Sequence, residues 1–340
     1  MRPDIWLTRC WQARLLWPVS WCHGLLVRLR RALYRCGLFR SERFAIPVIV
    51  VGNVVAGGAG KTPLVIALAR HLRARGLAVG VVSRGYGRTG AGVVEVKPDT
   101  PVHESGDEPA LIQRATGAPV FVANKRPNAV RKLLAAYPLT QVVVCDDGLQ
   151  HYALRRDIEI AVFDDGGVGN GWLMPAGPLR EAWPERRQYG IDLVLHTGRQ
   201  PVFEGYTSQR RLARHAVAVD GSLIALSGLR HQRLAALAGI ADPTSFFEML
   251  RACGLTLENA VSFRDHHEFK SGDVADYVGR TLLCTEKDAV KLFELSRRQG
   301  IRLLAVPLEF IPEAAFFTAL DTLLTPLLSH LPSVHGHQTA

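Results

Sequence analysis

Cysteine is sparse and scattered. The six residues Cys10, Cys22, Cys36, Cys145, Cys253 and Cys284 form no C-x-x-C pair or other metal-ligating spacing. That excludes a structural zinc site and a disulfide framework, and points to a reduced compartment. A clean membrane span is also missing: in the apolar amino-terminal segment the longest stretch without Arg or Lys, Leu15 to Val27, has 13 residues, against roughly 20 for a crossing. The chain has no internal repeats and no heptads. It also lacks an aromatic-basic repeat or recognition motif, so nucleic acid is not expected as a partner despite the net charge of +10. Acidic residues are the minority, 31 against 41 Lys and Arg, and some other anionic partner is implied. With 340 residues and 48% hydrophobic content, the chain can build two domains with real cores and is not disordered.

Part of the positive charge is local, since nine arginines stand in residues 1–50 against only Asp4 and Glu42. Four of the six tryptophans, Trp6, Trp11, Trp17 and Trp21, fall in the first 21 residues. Arg14 and Pro18 cut this apolar segment, and Arg28, Arg30, Arg31 and Arg35 follow it. Tryptophan at headgroup depth with arginine reaching anionic lipid describes a helix lying in a membrane interface. The alternative is an amphipathic helix packed on its own domain. A signal peptide fits less well, because Trp and Arg interrupt the run and no small-residue cleavage site follows.

The chain is organised around Val48-Ile49-Val50-Val51-Gly52-Asn53, which breaks into Gly57-Gly58-Ala59-Gly60-Lys61-Thr62-Pro63. A buried strand, a small-residue loop and a helix opening near Lys61 would bring backbone N–H groups, a helix dipole, an ammonium and a hydroxyl to one point, where they can hold polyphosphate. The strict phosphate-loop spacing wants glycine at position 55, where valine stands. Pro63 is no objection, because the first helical turn has spare N–H positions.

From Phe44 to about Leu195, short apolar runs alternate with helical patterns. Strands are expected at 45–51, 78–82, 119–122, 142–145, 158–162 and 193–196, and helices at 62–74, 108–115 and 128–136. This predicts an α/β fold whose mainly parallel sheet is covered on both faces, with ligands beyond the carboxyl ends of the strands. Three strand ends carry polar chemistry. Ser83-Arg84-Gly85-Tyr86-Gly87-Arg88 is either an anion-holding turn or a plain basic one. Asp146-Asp147 either caps a turn or, beside a phosphate loop, holds Mg²⁺. Asp164-Asp165-Gly166-Gly167 reads as a turn. The Gly- and Pro-rich stretch 164–187 reads as a long functional loop, from which Glu181 could complete a magnesium shell. Asp107, in Glu104-Ser105-Gly106-Asp107-Glu108, is a reasonable helix cap.

A polar, arginine-rich stretch near 207–215 is the expected passage to a smaller α/β unit. That unit has strands at 223–226, 282–284 and 302–305, and helices near 232–237, 244–253 and 286–295. In Asp265-His266-His267, adjacent histidines project differently, so a histidine paired with an acid is preferred to zinc. The organisation expected is a membrane-associated segment at 1–40, a nucleotide-binding domain at 41–210, the smaller unit at 211–330 and a flexible tail at 331–340.

The sequence resembles the tetraacyldisaccharide 4′-kinase family of lipid A biosynthesis over nearly its whole length. The resemblance rests on the Arg- and Trp-rich start and the phosphate loop with its valine at 55. Further along it rests on Ser83–Arg88, Gly106–Pro109, Asp146–His151, Leu173–Glu181, Asp265–His267 and Thr285–Lys291, in that order. Ala59 stands where threonine is more often expected. The resemblance implies a P-loop NTPase-like domain and transfer of the ATP γ-phosphate to an acylated glucosamine disaccharide 1-phosphate. It places the enzyme on the cytoplasmic face of the bacterial inner membrane, peripheral or monotopic, with anionic lipids as partners and no obligate protein partner. It also implies site roles: Gly57, Gly58, Ala59, Gly60, Lys61 and Thr62 around the phosphates; Thr62, Asp146, Asp147 and Glu181 around Mg²⁺; Asp107 as general base with His266 beside it.

Overall fold

The computed structural model describes residues 3–57, 60–183, 190–198, 200–240, 242–265 and 267–329. The strands are β1 (Val48–Gly52), β2 (Val79–Ser83), β3 (Val94–Val96), β4 (Val120–Val122), β5 (Val142–Cys145), β6 (Ile158–Phe163), β7 (Leu193–His196) and β8 (Tyr206–Leu212). They continue with β9 (His215–Ala218), β10 (Leu223–Ala225), β11 (Leu234–Ala238), β12 (Leu257–Ser262), β13 (Thr281–Thr285), β14 (Arg302–Val306) and β15 (Leu308–Pro312).

A nine-stranded sheet has the order β15-β8-β7-β6-β1-β5-β2-β4-β3. Its pairings from β4 across to β8 are parallel, and the edges β3 and β15 run antiparallel. The continuous valine runs follow from burial on both faces. Ile49 and Val51 join Leu64, Leu68 and Leu72 of the Lys61–Ala74 helix on one face, and Val48 and Val50 join Leu133 and Leu149 on the other. The expected α/β class is therefore observed as a mixed sheet with a parallel centre. β1 lies between β5 and β6: the β1-to-β2 connection runs to one side of it and the β5-to-β6 connection to the other, which opens a crevice at its carboxyl end.

The second sheet has six strands in the order β10-β9-β14-β13-β11-β12. The helix expected near 232–237 is instead strand β11. Leu-Ala-Ala-Leu-Ala has good helix propensity, but the segment is buried throughout and pairs in parallel with β12 and β13, so packing overrides local preference. The passage expected near 207–215 is largely β8, a strand whose Gln209, Arg210 and Arg211 stay exposed.

Residues 308–328, expected in the smaller unit, return to the large sheet. β15 pairs with β8 from Leu308–Leu212 to Pro312–Ser208. The Ala314–Leu328 helix buries Phe316, Leu320 and Leu324 in the core under the Lys61–Ala74 helix. The tail expected at 331–340 lies outside the described residues. Because Phe316 is fully buried, Phe316→Ala should destabilise the nucleotide-side core by about 3–5 kcal/mol. Denaturant unfolding checks this, and a change below about 1 kcal/mol would contradict the docking of this helix.

Candidate active site

The site is built where β1, β5 and β2 end side by side. Val50 pairs with Cys145 and Val82 pairs with Cys145 from the other side, so Asn53, Asp146 and Ser83 emerge together. Beyond β1 the chain reaches Gly60 at φ 78°, which caps the Lys61–Ala74 helix. Only glycine adopts this left-handed backbone freely. A Cβ there would also collide with the Arg210 guanidinium, which places a β8 arginine, read from sequence as linker, directly against the loop. Gly57 and Gly60 are described, whereas Gly58 and Ala59 lie outside the described residues.

Lys61 Nζ reaches Asn53 Oδ1 at 3.4 Å and Asp147 Oδ1 at 3.6 Å. Asn53 in turn donates to the Gly57 carbonyl at 3.2 Å, and Gln150 Nε2 donates to the Asn53 carbonyl at 3.2 Å. Arg180 meets the same Asp147 oxygen at 3.5 Å. Asp147 adopts φ 46°, an uncommon backbone for a non-glycine residue that turns the chain sharply out of β5. Thr62 is buried at the helix start.

Asp146 is buried, and its Oδ2 accepts the Ser83 hydroxyl at 3.1 Å. Its other oxygen is buried without a hydrogen-bond partner. Burial, then the neighbouring Glu108 and Asp147 carboxylates, push its pKa up to about 7 against the opposing pull of Lys61 and Ser83. A buried carboxyl with an open oxygen suits a divalent cation. Among the described residues no three His, Cys, Asp or Glu side chains gather closely enough to hold a metal by themselves, so phosphate oxygens would have to complete the shell. Glu181 is buried and accepts the Tyr152 hydroxyl at 2.5 Å.

Asp107 is not a helix cap. Gly106 holds the N-cap position with φ 88°, and Asp107 is the first residue of the Asp107–Thr116 helix, with no cap bond from a side chain. Gly106 packs against Gly85 and Tyr86, which brings Asp107 to the end of β2. Its Oδ2 lies 2.5 Å from Lys291 Nζ, a contact between the two sheets' helices. Sequence reading gave Lys291 no role of its own, although Lys287 and Lys291 stand at the i, i+4 spacing that shares one helix face. His266 lies outside the described residues. Next to it His267 Nε2 contacts Asp273 at 3.1 Å, and Lys287 holds Asp265 at 2.9 Å.

The amino-terminal helix, Trp11–Arg35, rests on the 170–181 loop through a narrow face of small residues, Ala13, Ser20 and Gly24. Ala176 N donates to Ser20 Oγ at 3.0 Å, His23 Nε2 to the Arg180 carbonyl at 3.2 Å, and Asn170 Nδ2 to the Ile5 carbonyl at 3.0 Å. Trp11, Leu15, Trp21, Leu25, Leu26 and Leu29 are left exposed. No helix among the described residues is long and apolar enough to cross a membrane.

Comparison with known proteins settles the affiliation. The profile of the family described as tetraacyldisaccharide-1-P 4′-kinase matches residues 12–325. A tetraacyldisaccharide 4′-kinase of Polaromonas naphthalenivorans (strain CJ2) is 73% identical over 334 residues, covering 98% of this chain and 97% of the relative. The chain belongs to the tetraacyldisaccharide 4′-kinase family. Another member, from Acidovorax sp. (strain JS42), is 52% identical over 95% of this chain and 94% of its own. The crystal structure of the Aquifex aeolicus family member in complex with ATP superposes with a TM-score of 0.79 at 27% identity, covering 93% of this chain and 99% of that one.

A basic cluster borders Asp147, whose carbonyl accepts from Arg126 Nη2 at 3.1 Å. His151 Nε2 accepts the Arg126 backbone N–H at 3.2 Å, which requires that nitrogen to be unprotonated. Burial and the charges of Arg126, Arg156, Arg30 and Arg84 bring its pKa down to about 4. A histidine depressed in the folded state contributes stability above its unfolded pKa of about 6.5, and that contribution is lost as pH falls toward the folded value. His151→Gln keeps an acceptor and removes the titration. Wild type should therefore lose melting temperature relative to the variant as pH drops from 7 to 4. Parallel pH profiles would contradict a neutral His151.

Proposed function

We propose that this protein transfers the γ-phosphate of ATP to the 4′-hydroxyl of a tetraacylated glucosamine disaccharide 1-phosphate, giving the 1,4′-bisphosphate and ADP. The observation that carries the reading is the meeting of a phosphate-loop lysine with the Asp147 carboxylate at 3.6 Å, in a chain of this family. Lys61 and the amides of the Gly57–Thr62 loop would hold the β- and γ-phosphates, and Arg180 would add a second cation on the Asp147 side. Thr62, Asp146 and Asp147 would hold Mg²⁺, which when bound neutralises charge across the β- and γ-phosphates. Glu181, bonded to Tyr152, anchors the segment that delivers Arg180 and is assigned to completing or orienting the magnesium shell.

A sugar hydroxyl is a poor nucleophile at neutral pH. Asp107 accepts its proton as the new bond from the 4′-oxygen to phosphorus forms, and the bond from the γ-phosphorus to the bridging oxygen breaks, leaving its electron pair on ADP. His266 is assigned to orienting Asp107 or sharing that proton. The exposed tryptophan and leucine face of the amino-terminal helix lies in the interface of an anionic membrane and presents the catalytic loop to acyl chains that do not leave the bilayer. This is a monotopic or peripheral arrangement at the cytoplasmic face of the inner membrane.

Transfer of radiolabelled γ-phosphate in detergent, with the acylated disaccharide 1-phosphate as acceptor, tests the activity. Labelled lipid is expected, and loss of ATP without labelled lipid would mean a nucleotide hydrolase instead. Asp107→Asn should lower kcat of the folded protein by roughly 10²- to 10⁴-fold while ATP affinity stays near wild type, a loss larger than any fall in melting temperature from leaving Lys291 without its counter-charge. Retained turnover would remove Asp107 as the base. Deleting residues 1–38 should move the protein from washed membranes to the soluble fraction, and full retention would remove the attachment role.

A further inference from the structure

Among the features that the proposed chemistry leaves unused, the contact between Asp107 and Lys291 is the most consequential. The two side chains are about nine-tenths and five-sixths buried, 10% and 15% exposed, with Nζ and Oδ2 2.5 Å apart. Removing two charges from water is expensive, so a buried pair is a weak source of net stability. It does fix geometry. Lys291 is held rigidly from behind, because its helix begins at Thr285, whose hydroxyl accepts Asp288 N–H at 3.2 Å. The Asp288 carboxylate ties that turn to Gly239 N at 3.1 Å, at the end of β11.

The same ammonium donates to the His267 carbonyl at 3.1 Å, while Lys287, one turn earlier, holds Asp265 at 2.9 Å. The two lysines thus grip the chain on both sides of position 266. One of them reaches across to the first residue of the Asp107–Thr116 helix, on the large sheet's side.

We infer that Lys291 is a positioning residue for phosphoryl transfer: it keeps the Asp107 carboxylate paired and aimed, and it ties that carboxylate to the chain beside position 266 through the His267 carbonyl. The inference rests on Asp107 being the proton acceptor. Lys291 itself touches no reacting atom. Without it the carboxylate gains rotamer freedom and loses this tie to the second sheet's helix, and misplacement of this order costs roughly 10- to 100-fold in rate.

The test uses full-length protein and four variants: Lys291→Met, Lys291→Arg, Asp107→Asn and the Asp107→Asn/Lys291→Met double. Lys291→Met is expected to lower kcat about 10- to 100-fold, with KM for ATP and for the acceptor within about twofold. Lys291→Arg, which keeps the charge and a donor to the His267 carbonyl, should recover most of that loss. The double variant should be no slower than Asp107→Asn alone, since groups acting as a unit are non-additive. Wild-type kcat in Lys291→Met would overturn the inference while leaving a strong Asp107→Asn defect, and hence the general base, intact. A loss that follows melting temperature and is not recovered by Arg would reduce Lys291 to a structural tie. Unimpaired turnover in Asp107→Asn would sink the base assignment itself. Should Lys291→Met fail to fold, Lys291→Gln, which keeps a donor and loses the charge, takes its place: a fall in kcat at unchanged KM that Lys291→Arg recovers supports the role, and wild-type kcat overturns it.

Discussion

The approach of Lys61 to Asp147 is the interaction on which the rest of the site depends. It exists because β1 and β5 are parallel neighbours with Val50 opposite Cys145, so the residues following both strands emerge at one edge. A one-residue slip in that register would turn the polar ends to opposite faces, and it is resisted by valines packed on both sides of the sheet. Cation and carboxylate are therefore placed by the core. The same arrangement leaves Asp146 buried with one oxygen open and a pKa near 7, a poorly compensated charge that a bound divalent cation would relieve.

Two segments remote in sequence act on this edge. The amino-terminal helix is fastened by small residues to the 170–181 loop, and His23 donates to the carbonyl of Arg180, the residue whose guanidinium meets Asp147. The exposed apolar face and this edge are thus linked through the 170–181 loop. From the other side, Lys291 joins the smaller sheet's helix to Asp107, while Lys287, one turn earlier, holds Asp265. A lipid kinase must gather a soluble nucleotide and a lipid acceptor, and these two links tie the exposed apolar helix to Asp147 and the smaller sheet to Asp107.

Much of this was legible in the sequence, for identifiable reasons. Strands buried on both faces announce themselves as uninterrupted β-branched runs, and β5 and β7 were expected with the observed bounds. The meeting of Lys61, Asp146 and Asp147 was legible because neighbouring parallel strands bring their carboxyl ends to one edge. β11 was misread because Leu234-Ala235-Ala236-Leu237-Ala238 carries no local sign that neighbours will flank it on both sides. The return of β15 and the Ala314–Leu328 helix to the large sheet is a long-range pairing that no local pattern encodes. Asp107 looked like a cap because Gly106, whose φ of 88° does the capping, leaves no side-chain signal. Lys291 and Arg210 owe their places entirely to tertiary structure. Only the i, i+4 spacing of Lys287 and Lys291 hinted at a shared face.

The central claim is that the acid beyond β5 serves the nucleotide's metal and does not merely shape a turn. Turnover of Asp147→Asn measured against free Mg²⁺ concentration, with melting temperature recorded on the same samples, tests it most directly. The account predicts a marked rise in the Mg²⁺ required and a strongly depressed maximal rate in a protein that melts near wild type. Normal turnover at low free Mg²⁺, or a loss of activity explained wholly by unfolding, would contradict it.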